Sequence, residues 1–191
     1  MGWAIIFLCL AFGIKWVGRI TYFTAGFPFV LLIVFLGRSL SLPGASKGVK
    51  AYIGVWDVSV LSTMPDCWSV ATAQVFFSIG ITFGIFTAFG SHCERNAPTF
   101  VNSIIIASLD TLFAIIAGFA VFGTLGYMNE KTGVPMEDIA GGGTGLLFGI
   151  FPEALYSLPN GIHWIRLLFF FLFLLGIDSA FAFTEGNCRS I

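Results

Sequence analysis

Two aspartates lie within long apolar stretches of the sequence. Asp110 follows an isoleucine-rich run, and Asp178 follows a run rich in phenylalanine and leucine. An ionisable side chain at the centre of a membrane span costs about 2.5–3.5 kcal/mol on insertion scales, so each acid is expected to face protein, water or an ion. Carboxylate oxygens are ligands that hard cations prefer. The two acids therefore predict cation sites; the alternative is a protonated carboxyl group that is hydrogen-bonded to a neighbouring helix.

A cluster of small and polar residues interrupts the apolar stretch from 69 to 90. Gly80, Thr82 and Gly84 lie in its middle and follow Ser78. Glycines in membrane helices often mark only close helix packing, which is the plainer explanation. Their clustering with hydroxyl side chains favours a helix that unwinds there, because unwound backbone exposes carbonyl oxygens to a cation or ligand. The cluster therefore predicts a broken helix that lines a binding cavity.

Other kinds of chemistry find little support in the sequence. The two aspartates lack the sequence contexts of intramembrane aspartyl proteases, and no pair of nucleophile and base stands out. His92 and His163 lack metal-ligand spacing, and the four cysteines are scattered. A formal net charge of -1 without a basic run gives no electrostatic footprint for nucleic acid. Catalysis and nucleic-acid binding are therefore not expected.

The composition points to a lipid environment for the elements that carry these residues. Hydrophobic residues make up 57% of the chain and charged residues only 10%. An ordinary soluble domain carries about a quarter charged residues. Each membrane crossing uses about 20 predominantly apolar residues, so the chain has room for four or five crossings. The sequence therefore predicts an all-α, polytopic transmembrane helical bundle.

The predicted elements form a single partial transmembrane domain over residues 1–191. The apolar stretch at 3–14 is too short to cross a bilayer and predicts a truncated helix. Membrane helices are predicted at 20–37, 69–90, 101–128 and 163–184. Turn-forming glycines and prolines predict long loops at 39–66 and 129–160.

The basic residues of the short loops predict the orientation of the chain. Lys15, Arg19 and Arg95 lie in the two short loops. Short loops rich in Lys and Arg tend to stay in the cytoplasm, whereas the charges of long loops count little. The loops at 39–66 and 129–160 are therefore predicted to be extracellular.

Six motifs resemble the sodium-coupled neurotransmitter and amino-acid symporter family, which has the broken-helix fold of the bacterial leucine transporter. They occur in family order along nearly the whole chain: Tyr22-Phe23-Thr24 with Pro28, Leu42-Pro43-Gly44-Ala45, Ala71-Thr72-Ala73-Gln74-Val75-Phe76-Phe77-Ser78, Gly126-Tyr127-Met128, Phe151-Pro152-Glu153-Ala154 and Gly176-Ile177-Asp178-Ser179. Several ordered motifs are far more specific than one. The resemblance implies a fragment of the inverted-repeat fold that covers about the fourth to the eighth helix, with the broken sixth helix at 69–90.

The resemblance also implies residues that bind substrate and sodium. The implied substrate contacts are Phe77, Gly80, Phe83 and Ser179. The implied sodium ligands are Ser78, Asp110, the carbonyl of Leu175, Asp178 and Ser179. Sodium is thus the expected ion, and a small amino acid or amine is the expected substrate.

One departure from the family concerns chloride. Gln74 and Ser78 match the chloride pattern of the family, but Asp110 stands where most animal members carry Asn, and Ala114 replaces a Ser one turn later. A second anion beside a carboxylate would be repelled. We hypothesise that Asp110 supplies the negative charge that chloride gives elsewhere. An acid at this position also resembles the invertebrate nutrient amino-acid transporter branch.

The sequence is therefore interpreted as part of a plasma-membrane symporter that moves neutral amino acids or related small amines with sodium by alternating access. The first helix of the family supplies much of the site and is not in this sequence, so the chain alone is not expected to transport. The alternative is a non-transporting truncated product that associates with and modulates a full-length transporter, or is simply degraded; a homo-oligomer is the other partner left open. A pore formed by oligomers has less support because no filter motif is present.

Overall fold

A computed structural model describes residues 14–54, 56, 58–64, 66–91, 93–136 and 144–189. In chain order the helices are α1 (Ile14–Leu40), α2 (Ala45–Ile53), α3 (Ser59–Thr63), α4 (Asp66–Ile79), α5 (Ile85–Gly90), α6 (Thr99–Thr132), α7 (Phe151–Tyr156) and α8 (Gly161–Arg189). A 3-10 turn spans Ile81–Phe83, and a π turn spans Leu146–Ile150. These described ranges contain helices and turns without strands, which confirms the all-α prediction. The predicted truncated helix at 3–14 lies, except for its last residue, outside them.

Three helices are long and apolar enough to cross a membrane. Their candidate spans are Tyr22–Leu40, Thr99–Thr132 and Gly161–Thr184. At about 1.5 Å per residue the longest of them, α6, greatly exceeds the thickness of a hydrocarbon core, which is about 30 Å. Helix α6 is therefore longer than a single perpendicular crossing requires.

The helix bounds differ from the predicted segments at several ends. Helix α6 continues to Thr132, where Gly133 adopts a left-handed conformation with φ 72° and donates its N–H to the Asn129 carbonyl. The segment predicted as the loop 39–66 contains the helices α2 and α3. The segment predicted as the loop 129–160 contains the helical stretch Leu146–Tyr156. Glycine and proline at the ends of these short helices gave the sequence its loop-like character.

The apolar core lies between α1, α6, α7 and α8. Its buried members are Leu31, Leu32, Phe35, Leu42, Ala120, Phe151, Leu155, Leu158 and Leu168. Phe35 is at their centre, with its ring 6.5 Å from that of Phe151 and 6.0 Å from that of Trp164, between centroids. Because lipid is as apolar as leucine, such helices associate through close packing and interhelical hydrogen bonds. This packing fixes α1 against α8, and these two helices carry one of the sites described below.

Helix α2 packs closely on the C-terminal part of α6. The Gly48 and Gly126 backbones approach each other so closely that a Cβ on Gly126 would lie 2.6 Å from the Gly48 nitrogen. Lys47 forms an ion pair with Glu130 at the rim of this contact. Deeper in the contact between α1 and α6, Ser39 Oγ donates to the Ala120 carbonyl at 2.7 Å. Small residues thus allow a backbone-to-backbone contact that a larger side chain would prevent.

We expect the Gly48→Ala variant to be destabilised because its Cβ would lie 1.9 Å from the Phe122 carbonyl oxygen. Overpacking of this kind costs about 1–3 kcal/mol, which should lower the thermal unfolding temperature of the detergent-solubilised chain by several degrees. Gly37→Ala is the matched control, since a Cβ there meets nothing within 4 Å. Equal unfolding temperatures for the two variants would contradict the described contact.

Helix α4 and the first half of α6 expose many large apolar side chains. Helix α4 has no buried residue within the described structure. On α6, Phe100 is 77% exposed, and Val101 and Ile104 are about half exposed. These helices carry the broken segment and Asp110, so the candidate site lies at an open side of the bundle.

Candidate functional site

The apolar stretch from 69 to 90 is broken where the sequence predicts the break. Helix α4 ends at Ile79, and Gly80 and Gly84 both adopt left-handed conformations, with φ of 78° and 72°. Glycine populates this region without the steric penalty of a side chain. At Gly84 a Cβ would meet nothing within 4 Å, so the conformation, and not a lack of space, requires glycine there. The break exposes backbone groups between two half-helices, which is the arrangement that can hold an ion or a ligand.

Asp110 of α6 lies beside Ser78, which is near the end of the first half-helix, α4. The Ser78 hydroxyl donates to both carboxylate oxygens of Asp110, at 2.9 Å and 3.0 Å. The structure thus brings together two residues that the sequence predicts as sodium ligands. A hydroxyl has one proton and two lone pairs, so Ser78 retains acceptor capacity for a cation beside the carboxylate.

Asp178 lies on α8 and faces α1. The Thr24 hydroxyl donates to Asp178 Oδ1 at 2.8 Å, and Thr24 is only 4% exposed. Leu175, one turn before Asp178, is half-buried, and Ser179 is exposed. The two aspartates therefore have different partners: Asp110 pairs with α4, and Asp178 pairs with α1.

Three phenylalanines form an aromatic wall at the break. The rings of Phe77 and Phe83 meet edge to face with centroids 5.7 Å apart, and Phe83 meets Phe183 of α8 at 5.2 Å in the same manner. Edge-to-face contacts at these distances are favourable for aromatic rings. Gln74 lies one turn before Ser78 and is exposed, as is Phe77. The aromatic wall connects the broken segment to the helix that carries Asp178.

Sequence reasoning missed the contributions of Thr24 and Phe183. The sequence marks Thr24 only as part of a family motif, and no sequence signal connects it to a residue 154 positions away. Phe183 was not singled out, although it lies four residues after Ser179 and residues at that spacing share one helix face. That spacing could have pointed to Phe183.

The oxygen atoms around the aspartates are hard donors of the kind that hard cations take. Within the described ranges, groups of three or more His, Cys, Asp or Glu side chains that could hold a metal are absent. Each aspartate instead has a hydroxyl partner on another helix. Carboxylate, hydroxyl and carbonyl oxygens are hard ligands, which a singly charged hard cation can share without a dense cluster of acids.

Comparison with known proteins identifies the family of the chain. The sequence model of the "Sodium:neurotransmitter symporter family" matches residues 1–191. The chain belongs to this family. The sodium:neurotransmitter symporter family consists of transporters and not of enzymes, which agrees with the expected lack of catalysis. Family membership and the three long apolar helices together indicate that the chain is part of a multi-pass membrane protein.

Two curated relatives illustrate the similarity. The chain is 38% identical over 189 residues to the sodium- and chloride-dependent taurine transporter of Canis lupus familiaris, covering 99% of this chain and 30% of the relative. It is 36% identical over 191 residues to the sodium- and chloride-dependent GABA transporter 2 of Homo sapiens, covering 97% of this chain and 31% of that relative. The chain thus spans about a third of the length of the relatives that it matches.

Proposed function

We propose that the chain is the segment of a sodium-coupled symporter that carries its broken helix and two of its sodium-binding acids. The transporter would move neutral amino acids or related small amines across the plasma membrane. The observation that carries the proposal is the pairing of each aspartate with a hydroxyl on another helix, in one case at the end of the half-helix before the break. Family membership supplies the reaction class.

Two sodium sites follow from the positions of the acids. Ser78 and Asp110 would contribute a hydroxyl and a carboxylate to the first site. The Leu175 carbonyl, Asp178 and the Ser179 hydroxyl would contribute to the second. Bound sodium would supply a positive charge between the helices that carry these residues, and the oxygen atoms of the chain would hold the ion in place.

The substrate would lie at the break, against Phe77, Gly80, Phe83 and Ser179. The Gly80 carbonyl accepts the Phe83 N–H and retains a second lone pair, which would meet the polar end of the substrate, since half-helix ends attract charged ligand groups. The aromatic wall favours a substrate with an apolar portion. The relatives are named after taurine and GABA, which are small zwitterions. Neutral amino acids are small zwitterions too, so a site of the same kind would fit them.

Coupling would arise because ions and substrate stabilise the same closed conformations. A ligand shifts a conformational equilibrium only by its differential affinity for the two states. Helix α8 would respond to both, since it carries Asp178 and also Phe183, which contacts the broken segment. The change between outward-facing and inward-facing states would then depend on ions and substrate binding together at one shared site.

Chloride would not be required by this transporter, in contrast to the relatives whose names include chloride dependence. The single proton of the Ser78 hydroxyl is directed to Asp110, so this hydroxyl is committed to a carboxylate and not to an anion. A chloride ion beside Asp110 would also be repelled by its charge. The Asp110 carboxylate would take the place of the anion.

The function can be tested in a chimeric transporter, in which residues 1–191 replace the matching segment of the Canis lupus familiaris taurine transporter. We expect uptake of a radiolabelled neutral amino acid, taurine or GABA in sodium buffer and background uptake in choline buffer. Replacing chloride with gluconate should change uptake by less than about twofold, because Asp110 already supplies the negative charge. The unmodified taurine transporter is the control, and surface biotinylation corrects for expression.

Two results would contradict the proposal separately. Sodium-independent uptake by the chimeric transporter would contradict the sodium-coupled mechanism. Strict chloride dependence would contradict only the role proposed for the Asp110 carboxylate. The 191-residue chain expressed alone should remain at background, and sodium-dependent uptake by it would show that the other helices are not needed.

A second candidate function rests on the exposed surface of α4 and α6. This apolar surface would be covered by other helices of a complete transporter, and in the chain alone it would favour association with a full-length family member or with another copy of the chain. Tagged chain should then co-purify with a co-expressed full-length transporter and change its uptake. Uptake that is unaffected by the chain would exclude this role.

A further inference from the structure

We propose that Thr24 is a positioning residue for sodium at Asp178. Its hydroxyl holds one carboxylate oxygen so that the other oxygen faces the ion, and it thereby connects α1 to the ion site of α8. This inference rests on the proposed role of Asp178 in sodium binding.

The contact between Thr24 and Asp178 has the distance of an ordinary O–H···O hydrogen bond. Thr24 Oγ1 lies 2.8 Å from Asp178 Oδ1, and the bond joins residues 154 positions apart in sequence. A hydrogen bond to a carboxylate is charge-assisted and about twice as strong as one between neutral groups. The bond therefore restricts rotation of the carboxylate about its side-chain torsions.

Burial limits the orientations that are open to the Thr24 side chain. Thr24 is 4% exposed and belongs to the buried side of α1. A β-branched side chain has few accessible χ1 rotamers in a helix, so burial leaves the hydroxyl little freedom. A ligand group that is held in place before the ion arrives binds it with less loss of conformational entropy.

Packing beside Thr24 keeps α1 against α8 independently of the hydroxyl. Phe27, less than one turn further along α1, meets Phe170 of α8 edge to face at 5.8 Å and stacks on Phe23 at 5.2 Å. Leu31 and Leu168 are buried in the same core. Loss of the Thr24 hydroxyl should therefore change the sodium site without separating the two helices.

The test compares Thr24→Val with Thr24→Ser in the purified chimeric transporter. Valine keeps the shape and removes the donor, whereas serine keeps the donor. The readout is the sodium concentration that gives half-maximal thermal stabilisation, measured at constant ionic strength with choline as the replacement. We expect Thr24→Val to raise this concentration about three- to tenfold, because a hydrogen bond to a charged group is lost, and Thr24→Ser to stay within about twofold.

The outcomes distinguish this inference from the proposed function. The unfolding temperature in sodium-free buffer should be the same for the two variants. A lower unfolding temperature in Thr24→Val alone would show that the hydrogen bond only stabilises the fold, and it would overturn the inference. The inference would also be overturned if Thr24→Val kept the parental sodium concentration for half-maximal stabilisation while Asp178→Ala lost part of the stabilisation by sodium. That result would leave the proposed sodium site at Asp178 intact. If Asp178→Ala itself keeps the full sodium response, the proposed function fails at this site. Thr24→Ala provides a smaller replacement should valine impair folding.

Discussion

Sodium-driven uptake by the chimeric transporter falls more than tenfold in Asp178→Ala, which is the largest effect that we expect from a single substitution. The carboxylate would supply the only full negative charge among the proposed ligands of the second sodium site. Losing a charge-assisted ligand costs about 1.5–3 kcal/mol, which corresponds to a loss of affinity of about ten- to a hundredfold. Uptake is measured over a range of sodium concentrations and normalised to the amount of protein at the cell surface.

The controls for Asp178→Ala separate ion binding from folding. Removing an intramembrane acid lowers the cost of membrane insertion, so the variant should reach the membrane at least as well as the parent. Asp178→Asn keeps a carbonyl oxygen and should give an intermediate loss. Normal surface expression with more than half of the parental uptake in Asp178→Ala would contradict the proposed sodium site.

The second large effect is a gain of chloride dependence in the Asp110→Asn/Ala114→Ser double variant. The first change removes the carboxylate that would repel chloride, and the second adds a hydroxyl donor one turn later on α6. The Ser78 hydroxyl, which donates to Asp110 in the structure, would then become available to an anion. Uptake by the double variant should fall at least about tenfold when gluconate replaces chloride, because the site then lacks the negative charge that sodium requires.

The single variants serve as matched controls for the chloride effect. Ala114→Ser alone should stay independent of chloride, since the Asp110 charge is still present. Asp110→Asn alone should reduce uptake in both media, and less in chloride than in gluconate. A double variant that transports equally well with gluconate and with chloride would contradict the role given to Asp110.

The membrane character and the helix break could be read from the sequence for clear physical reasons. Apolar runs longer than a bilayer crossing leave few structures other than helices, because backbone groups need partners within lipid. Gly80 and Gly84 take up left-handed conformations that other residues adopt only at a cost, so their clustering pointed to the break. Asp110 and Asp178 were recognised because a charge within an apolar span needs a partner.

The partners of these acids could not be derived from the sequence. Whether Asp178 faces Thr24 depends on the rotation and register of α1 against α8, which is set by packing around Phe27 and Phe35. No local pattern encodes contacts across 154 residues. The helices α2 and α3 were missed for a different reason: they are short, and they lie between glycines and prolines that are typical of loops. The extracellular side predicted for the long loops stays a prediction.

Asp110 and Asp178 are each proposed to hold a sodium ion, and the most direct test is to count the bound ions. Equilibrium binding of radiolabelled sodium to the purified chimeric transporter, with saturating substrate, gives the number of ions per protein. We predict two ions for the parent and one for each of the variants Asp110→Ala and Asp178→Ala, with the same number lost whether chloride is present or not. An unchanged number of bound sodium ions in both variants would contradict the claim.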